Sequence, residues 1–161
     1  MNGMKIKPTI IILLIALVSS CTAIFEDGKE LASAAKRDVK QMSADSLKAL
    51  VENGEAFLLI DVRQPADYET SNISGSFNIP RGELEFLITD EFFWEEQFMY
   101  VPLHEDLIII YCKVGDRGIL AAQALQKLGF TNVYNLEGGY TAFAGDEAPA
   151  AVKVESGGCG G

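Results

Sequence analysis

Histidine and cysteine are scarce in this chain: one histidine, His104, and three cysteines, Cys21, Cys112 and Cys159, stand among 161 residues. Cysteines this far apart cannot share a metal, and the single histidine sits in a polar turn beside Glu105 and Asp106, where it is expected to face solvent. No metal site and no cofactor are therefore expected. Positive charge is also short, with 13 Lys and Arg against 23 Asp and Glu and a formal net charge of −10. Such a surface repels phosphate backbones, and no basic stretch interleaved with aromatics is present, which excludes nucleic acid as a partner. No internal repeat or second domain is visible, and the length suits one domain with a sizeable core. A membrane-spanning run is lacking too, because the apolar stretch from Pro8 to Val18 falls short of the ~20 residues a spanning helix needs.

That stretch follows a basic start, Met4-Lys5-Ile6-Lys7, and ends in Val18-Ser19-Ser20-Cys21. A charged start, an apolar middle and small residues at the end make an export signal over residues 1–20. The last four residues resemble a bacterial lipobox, which implies acylation of Cys21 and an exported, membrane-anchored lipoprotein facing the periplasm. Thr22 in place of an aspartate favours, by analogy with enterobacterial sorting, the outer membrane of a two-membrane cell. Residues 21–38 are polar and alanine-rich and are expected to be a tether, 39–146 a folded domain, and 147–161 a flexible glycine-rich tail.

Within the domain, strand-like runs at 57–62, 77–79, 107–112 and 133–135 alternate with helical segments, the pattern of a parallel α/β sheet. Ser43 is placed to cap a helix through Glu52 with Leu47, Leu50 and Val51 inward, and Asn53-Gly54 ends it. From Gly118 to Leu128 a helical spacing puts Ala121, Ala122, Leu125 and Leu128 on one face. Between the run Leu107–Tyr111 and that helix lies Cys112-Lys113-Val114-Gly115-Asp116-Arg117. A cysteine at such a strand-to-helix turn meets free amides and the positive end of the helix dipole, which favour a nucleophilic thiolate; Lys113 and Arg117 act in the same direction.

This loop resembles the active-site loop of the rhodanese family: cysteine, two residues, glycine, one residue, arginine. Leu59-Ile60-Asp61-Val62-Arg63, then Tyr68-Glu69 with Ile73-Ser74-Gly75-Ser76-Phe77-Asn78-Ile79-Pro80, then Gly129-Phe130 and Val133 to Tyr140 are similar to further blocks of that family in the same order. Asn72 and Phe143 depart from its usual histidine and tryptophan. The resemblance implies a rhodanese-like α/β fold, a central parallel sheet flanked by helices, with the active-site loop between a central strand and the following helix. It implies a sulfurtransferase: Cys112 takes sulfane sulfur from a small donor such as thiosulfate, holds it as a persulfide, and yields it to a thiol or cyanide. Residues Lys113, Val114, Gly115, Asp116 and Arg117 then form the substrate-binding loop. Four residues separate Cys112 from Arg117, the loop length that by the same resemblance suits a persulfide, whereas related phosphatases and arsenate reductases need one residue more.

Arg117 either binds donor oxygens or braces the loop through Glu69 or Asp61, and Asp61 and Arg63 can instead form a structural ion pair at the strand end. An alternative to turnover is a sulfur-carrier or thiol-redox module, in which Cys159, in the glycine-rich tail, serves as a resolving thiol and a thiol reductant as partner. In the segment 81–103, Phe86, Leu87, Phe92, Phe93, Trp94, Phe98, Met99 and Tyr100 alternate with carboxylates from Glu83 to Glu96, and packing is their expected role.

Overall fold

The computed structural model describes residues 24–145. The expected export signal, Cys21 and the tail with Cys159 lie outside the described residues. In chain order the elements are α1 (Gly28–Ala35), a short 3-10 turn (Lys36–Asp38), β1 (Lys40–Met42), α2 (Ala44–Asn53), β2 (Leu58–Asp61), α3 (Pro65–Thr70), β3 (Phe77–Asn78), α4 (Leu84–Leu87), α5 (Glu91–Glu96), β4 (Ile108–Tyr111), α6 (Asp116–Lys127), β5 (Val133–Leu136) and α7 (Gly139–Ala144). The five strands form one sheet in the order β1-β5-β4-β2-β3, every pair parallel.

Every residue of β2 and of β4 is buried, as expected of strands covered by helices on both sides. Alternation divides their side chains between two cores. Leu58, Ile60 and Val62 join Ile108, Ile110 and Cys112 on the α6 side, while Leu59, Ile109 and Tyr111 pack with Leu47, Ile73 and Leu136 on the other. Asp61 and Tyr111 end their strands side by side in the register. Cys112 therefore leaves the sheet at its middle, beyond the carboxyl end of the central strand.

The ends of α2 follow from local chemistry. Ser43 accepts the Ser46 N–H at its start, and Gly54 closes it with φ +66, a conformation that favours glycine. Leu47 is buried, but Val51 is exposed, because α2 presents only a narrow face to the sheet. Leu128 is likewise exposed; it stands one residue past α6, outside the face that Ala121, Ala122 and Leu125 bury.

Two features differ from the sequence expectation more broadly. The stretch 21–38 was expected as a tether, yet from residue 28 it folds: Asp27 caps α1 by accepting the Lys29 and Glu30 N–H groups, and α1 packs on α6 with Ala32 and Ala35 buried. Behind it, Lys40–Met42 adds an edge strand beside β5. In the segment 81–103 the packing role belongs to Trp94, whose indole N–H donates to the Ile88 carbonyl (2.9 Å) and whose ring meets Phe77 and Phe93 edge-on. Phe86, Phe92, Phe98 and Tyr100 are exposed, since α4 and α5 are too short to sustain a buried stripe.

This division makes a stability prediction. Trp94→Ala should lower the unfolding free energy by about 3–5 kcal/mol, the usual loss for emptying a large aromatic site. Phe92→Ala should change it by less than about 0.5 kcal/mol, as exposed substitutions do. Urea denaturation followed by circular dichroism measures both.

Candidate active site

Cys112 is 1% exposed and its sulfur accepts the Gly115 N–H at 3.1 Å, so the loop folds back over the sulfur. That fold-back requires Gly115 at φ +108, a region side chains resist. Gly115 then caps α6, and its carbonyl accepts the Ile119 N–H at 3.0 Å. Asp116 and Arg117 open the helix, where backbone N–H groups have no partner within the helix. Such a cradle of amides stabilises a small anion held against the sulfur.

The loop is pinned from behind by α7. The Tyr140 N–H donates to the Cys112 carbonyl (2.8 Å) and the Thr141 N–H to the Lys113 carbonyl (3.0 Å). With these two carbonyls bound to α7, the Gly115 N–H is the loop amide that meets the sulfur. Close approach is what demands Gly139: at φ +60 it lies so near that an added Cβ would overlap the Cys112 carbonyl. Below, Asn135 of β5 donates to Gln41 (2.8 Å) while its side-chain oxygen faces Gly118, where an added Cβ would collide with it.

Asp61 and Arg63 form the structural ion pair that was one of the two sequence alternatives. Their side chains are buried, 0% and 4% exposed, at 2.6 Å between Nη2 and Oδ2. The guanidinium also donates to the Ser71 carbonyl (2.6 Å) and lies over the Tyr140 ring at 4.6 Å, tying the end of β2 to α7. Burial opposes its charge, but the hydrogen bond and charge of Asp61 outweigh that, and its pKa is raised. Tyr111 is pushed far above the ordinary phenol range by burial, although hydrogen bonds with Ser76 and the Ile73 N–H oppose the shift. It serves as a neutral strut.

Arg117 is exposed and forms no ion pair among the described residues, with Asp61 already committed to Arg63. Glu69 is exposed on α3 and is not brought to Arg117. Lys113 and Val114 are exposed at the loop's rim. Above the cysteine opens a cleft of about 290 Å³, with Cys112, Val114, Arg117 and Leu120 on one side and Asp27 and Lys29 of the α1 end on the other. The sequence reading takes this segment as tether, although Leu31, Ala32 and Ala35 share one face of α1. His104, exposed, stacks on Phe130 (4.8 Å between centroids) at the far end of the sheet from the cysteine.

Comparison with known proteins places these features in a family. The model of the Rhodanese-like domain matches residues 43–146. The structure of a human single-domain sulfurtransferase superposes with a TM-score of 0.62 at 30% identity, covering 68% of this chain and 99% of that one. A Rhodopseudomonas palustris structure, described as of unknown function and as a candidate tyrosine phosphatase, also superposes with a TM-score of 0.62, at 28% identity over 76% of this chain and 92% of that one. A Bacillus subtilis relative that bears a sulfur-carrier name is 30% identical over 73% of this chain. The chain spans 58% of that relative's length and 60% of another from Schizosaccharomyces pombe.

The pinning contact is testable. Gly139→Ala should reduce stability by about 3 kcal/mol or more, adding strain at positive φ to the clash with the loop. Gly82→Ala, at an exposed glycine with open space around it, should leave thermal unfolding essentially unchanged.

Proposed function

The chain belongs to the rhodanese-like domain family, and from that membership we propose that it is a sulfurtransferase working through a Cys112 persulfide. The observation that carries this reading is a nearly buried cysteine at the end of the central strand, its sulfur already under the Gly115 N–H of a six-residue loop.

The Cys112 thiolate attacks the outer, sulfane sulfur of thiosulfate; the S–S bond of the donor breaks and its electron pair leaves with sulfite. The enzyme then holds Cys112-S-S⁻, whose negative charge sits where the loop amides converge. A thiolate or cyanide attacks the terminal sulfur, takes it away as a persulfide or thiocyanate, and returns Cys112 as thiolate. Two accessible steps replace one difficult one. Arg117, free of a carboxylate partner among the described residues and lining the cleft, is the residue available for the donor's oxygens. The burial of Cys112 restricts access to small or extended reactants that reach it through the cleft.

A sulfur-carrier role is the second reading, supported by the name of the Bacillus subtilis relative. In that role Cys112 accepts one sulfur and passes it on without turnover, with Cys159, outside the described residues, as the candidate resolving thiol. Export and acylation at Cys21 form a further part of the proposal. They rest on the basic start, the apolar run and Ser19-Ser20-Cys21 alone, and two attached chains suffice for stable anchoring where one is marginal. Among the described residues no helix is long and apolar enough to cross a membrane.

With thiosulfate and excess cyanide, wild-type protein should release sulfite far beyond one equivalent per chain. Release that stops at about one equivalent favours the carrier. Cys112→Ser should abolish sulfite release while leaving the circular dichroism spectrum intact; wild-type turnover by that variant would remove the assignment. Hydrolysis of aryl phosphates should be absent, as the short loop does not wrap a tetrahedral oxyanion. In a bacterial host the wild-type chain should partition with membranes and Cys21→Ala should not, whereas unchanged membrane retention of the variant would indicate an uncleaved anchor.

A further inference from the structure

The matched family region begins at residue 43, whereas α1 spans Gly28–Ala35 and forms a wall of the cleft over Cys112. This wall is fixed. Ala32 and Ala35 let α1 approach α6 closely, the Gln126 side chain donates to the Asp38 carbonyl (3.3 Å), and Lys36 pairs with Glu137 (3.0 Å).

The charges in the cleft differ in how they are engaged. Asp27 is occupied by the Lys29 and Glu30 N–H groups that it caps. Asp116, in the first turn of α6, has no hydrogen-bond or ion-pair partner among the described residues, and its charge is favoured by the helix end alone. Lys29 and Arg117, facing the cleft from opposite elements, form no ion pair among the described residues of a chain whose net charge is −10. Two uncommitted cations flank one reactive thiol. The cleft, at about 290 Å³, also exceeds what a small inorganic donor fills, and Val114 and Leu120 add apolar surface to it.

We propose that Lys29 is a substrate-binding residue, and that the cleft between α1 and the Cys112 loop selects organic thiols that carry a carboxylate. The thiol enters toward Cys112 while its carboxylate meets Lys29, with the carbon skeleton between them against Val114 and Leu120. Specificity for the acceptor is thus set by a helix that precedes the family domain. This proposal rests on the sulfurtransferase reading for its kinetics and on geometry alone for its binding.

The test compares two acceptors for the persulfide, mercaptosuccinate and uncharged 2-mercaptoethanol. Lys29→Ala should raise KM for mercaptosuccinate roughly threefold to fivefold, the scale of a partly exposed ion pair, with kcat unchanged. Lys29→Glu should raise it about tenfold, since repulsion replaces attraction. Neither should alter KM for 2-mercaptoethanol, and Lys127→Ala, at the opposite end of α6, should alter nothing. High salt should shrink the mercaptosuccinate effect. Equal changes for both thiols, or no change for either, would overturn the proposal. Calorimetric binding of mercaptosuccinate to Cys112→Ser protein, with and without Lys29→Ala, reads the same contact without chemistry. Weaker binding by the double variant supports Lys29 even if no sulfur is transferred, and equal binding rejects it even if transfer is fast.

Discussion

Two hydrogen bonds, from the Tyr140 and Thr141 amides to the Cys112 and Lys113 carbonyls, hold the loop on which the site depends. A chain leaving a buried central strand carries backbone groups that must find partners. Here the Cys112 and Lys113 carbonyls find theirs in the first turn of α7, and the Gly115 N–H finds its own in the Cys112 sulfur. The division requires that α7 approach to van der Waals distance, which only a residue without Cβ permits at Gly139. It requires also that α7 stay in place. The Arg63 guanidinium under Tyr140, held by Asp61 and the Ser71 carbonyl, provides that support from the end of β2. A buried ion pair is weak evidence for stability as such; its value here is in setting the position of one loop against another.

The legible parts of the sequence were those whose local chemistry leaves one solution. Leu58–Ile60 and Ile108–Ile110 are uniformly apolar because helices cover both faces of the sheet, and the same burial makes Asp61 and Tyr111 at their ends conspicuous. Ser43 and Gly54 bracket α2 because a cap oxygen and a left-handed glycine are hard to replace. The Cys112 to Arg117 spacing is legible through its resemblance to the rhodanese active-site loop. The Asp61 and Arg63 pairing, two residues apart, is the reading the sequence favours for these residues, and the structure has it.

What escaped was structure made by contact rather than by pattern. The α1 helix is only eight residues long and its buried face is mostly alanine, so its stripe is easily taken for tether, although the small side chains are what allow the close approach to α6. Lys40–Met42 is a short, partly polar edge strand with nothing in its composition to distinguish it from a linker. The phenylalanines of 81–103 suggested a core stripe, yet the short α4 and α5 bury Trp94 and leave Phe86 and Phe92 outside. The cleft over Cys112 belongs to this class as well, since three of its lining residues, Asp27, Gly28 and Lys29, come from the stretch that reads as tether. The family match accounts for the loop and for β2 to β5, while α1 and β1 precede it.

The central claim is that the loop carries sulfur on Cys112. Peptide-resolved mass spectrometry of the protein after exposure to thiosulfate, without reductant, tests it most directly. The account predicts the added mass of one sulfur atom on the peptide containing Cys112, lost again on treatment with cyanide. A Cys112 peptide that remains unmodified, or sulfur found only on another cysteine, would contradict it.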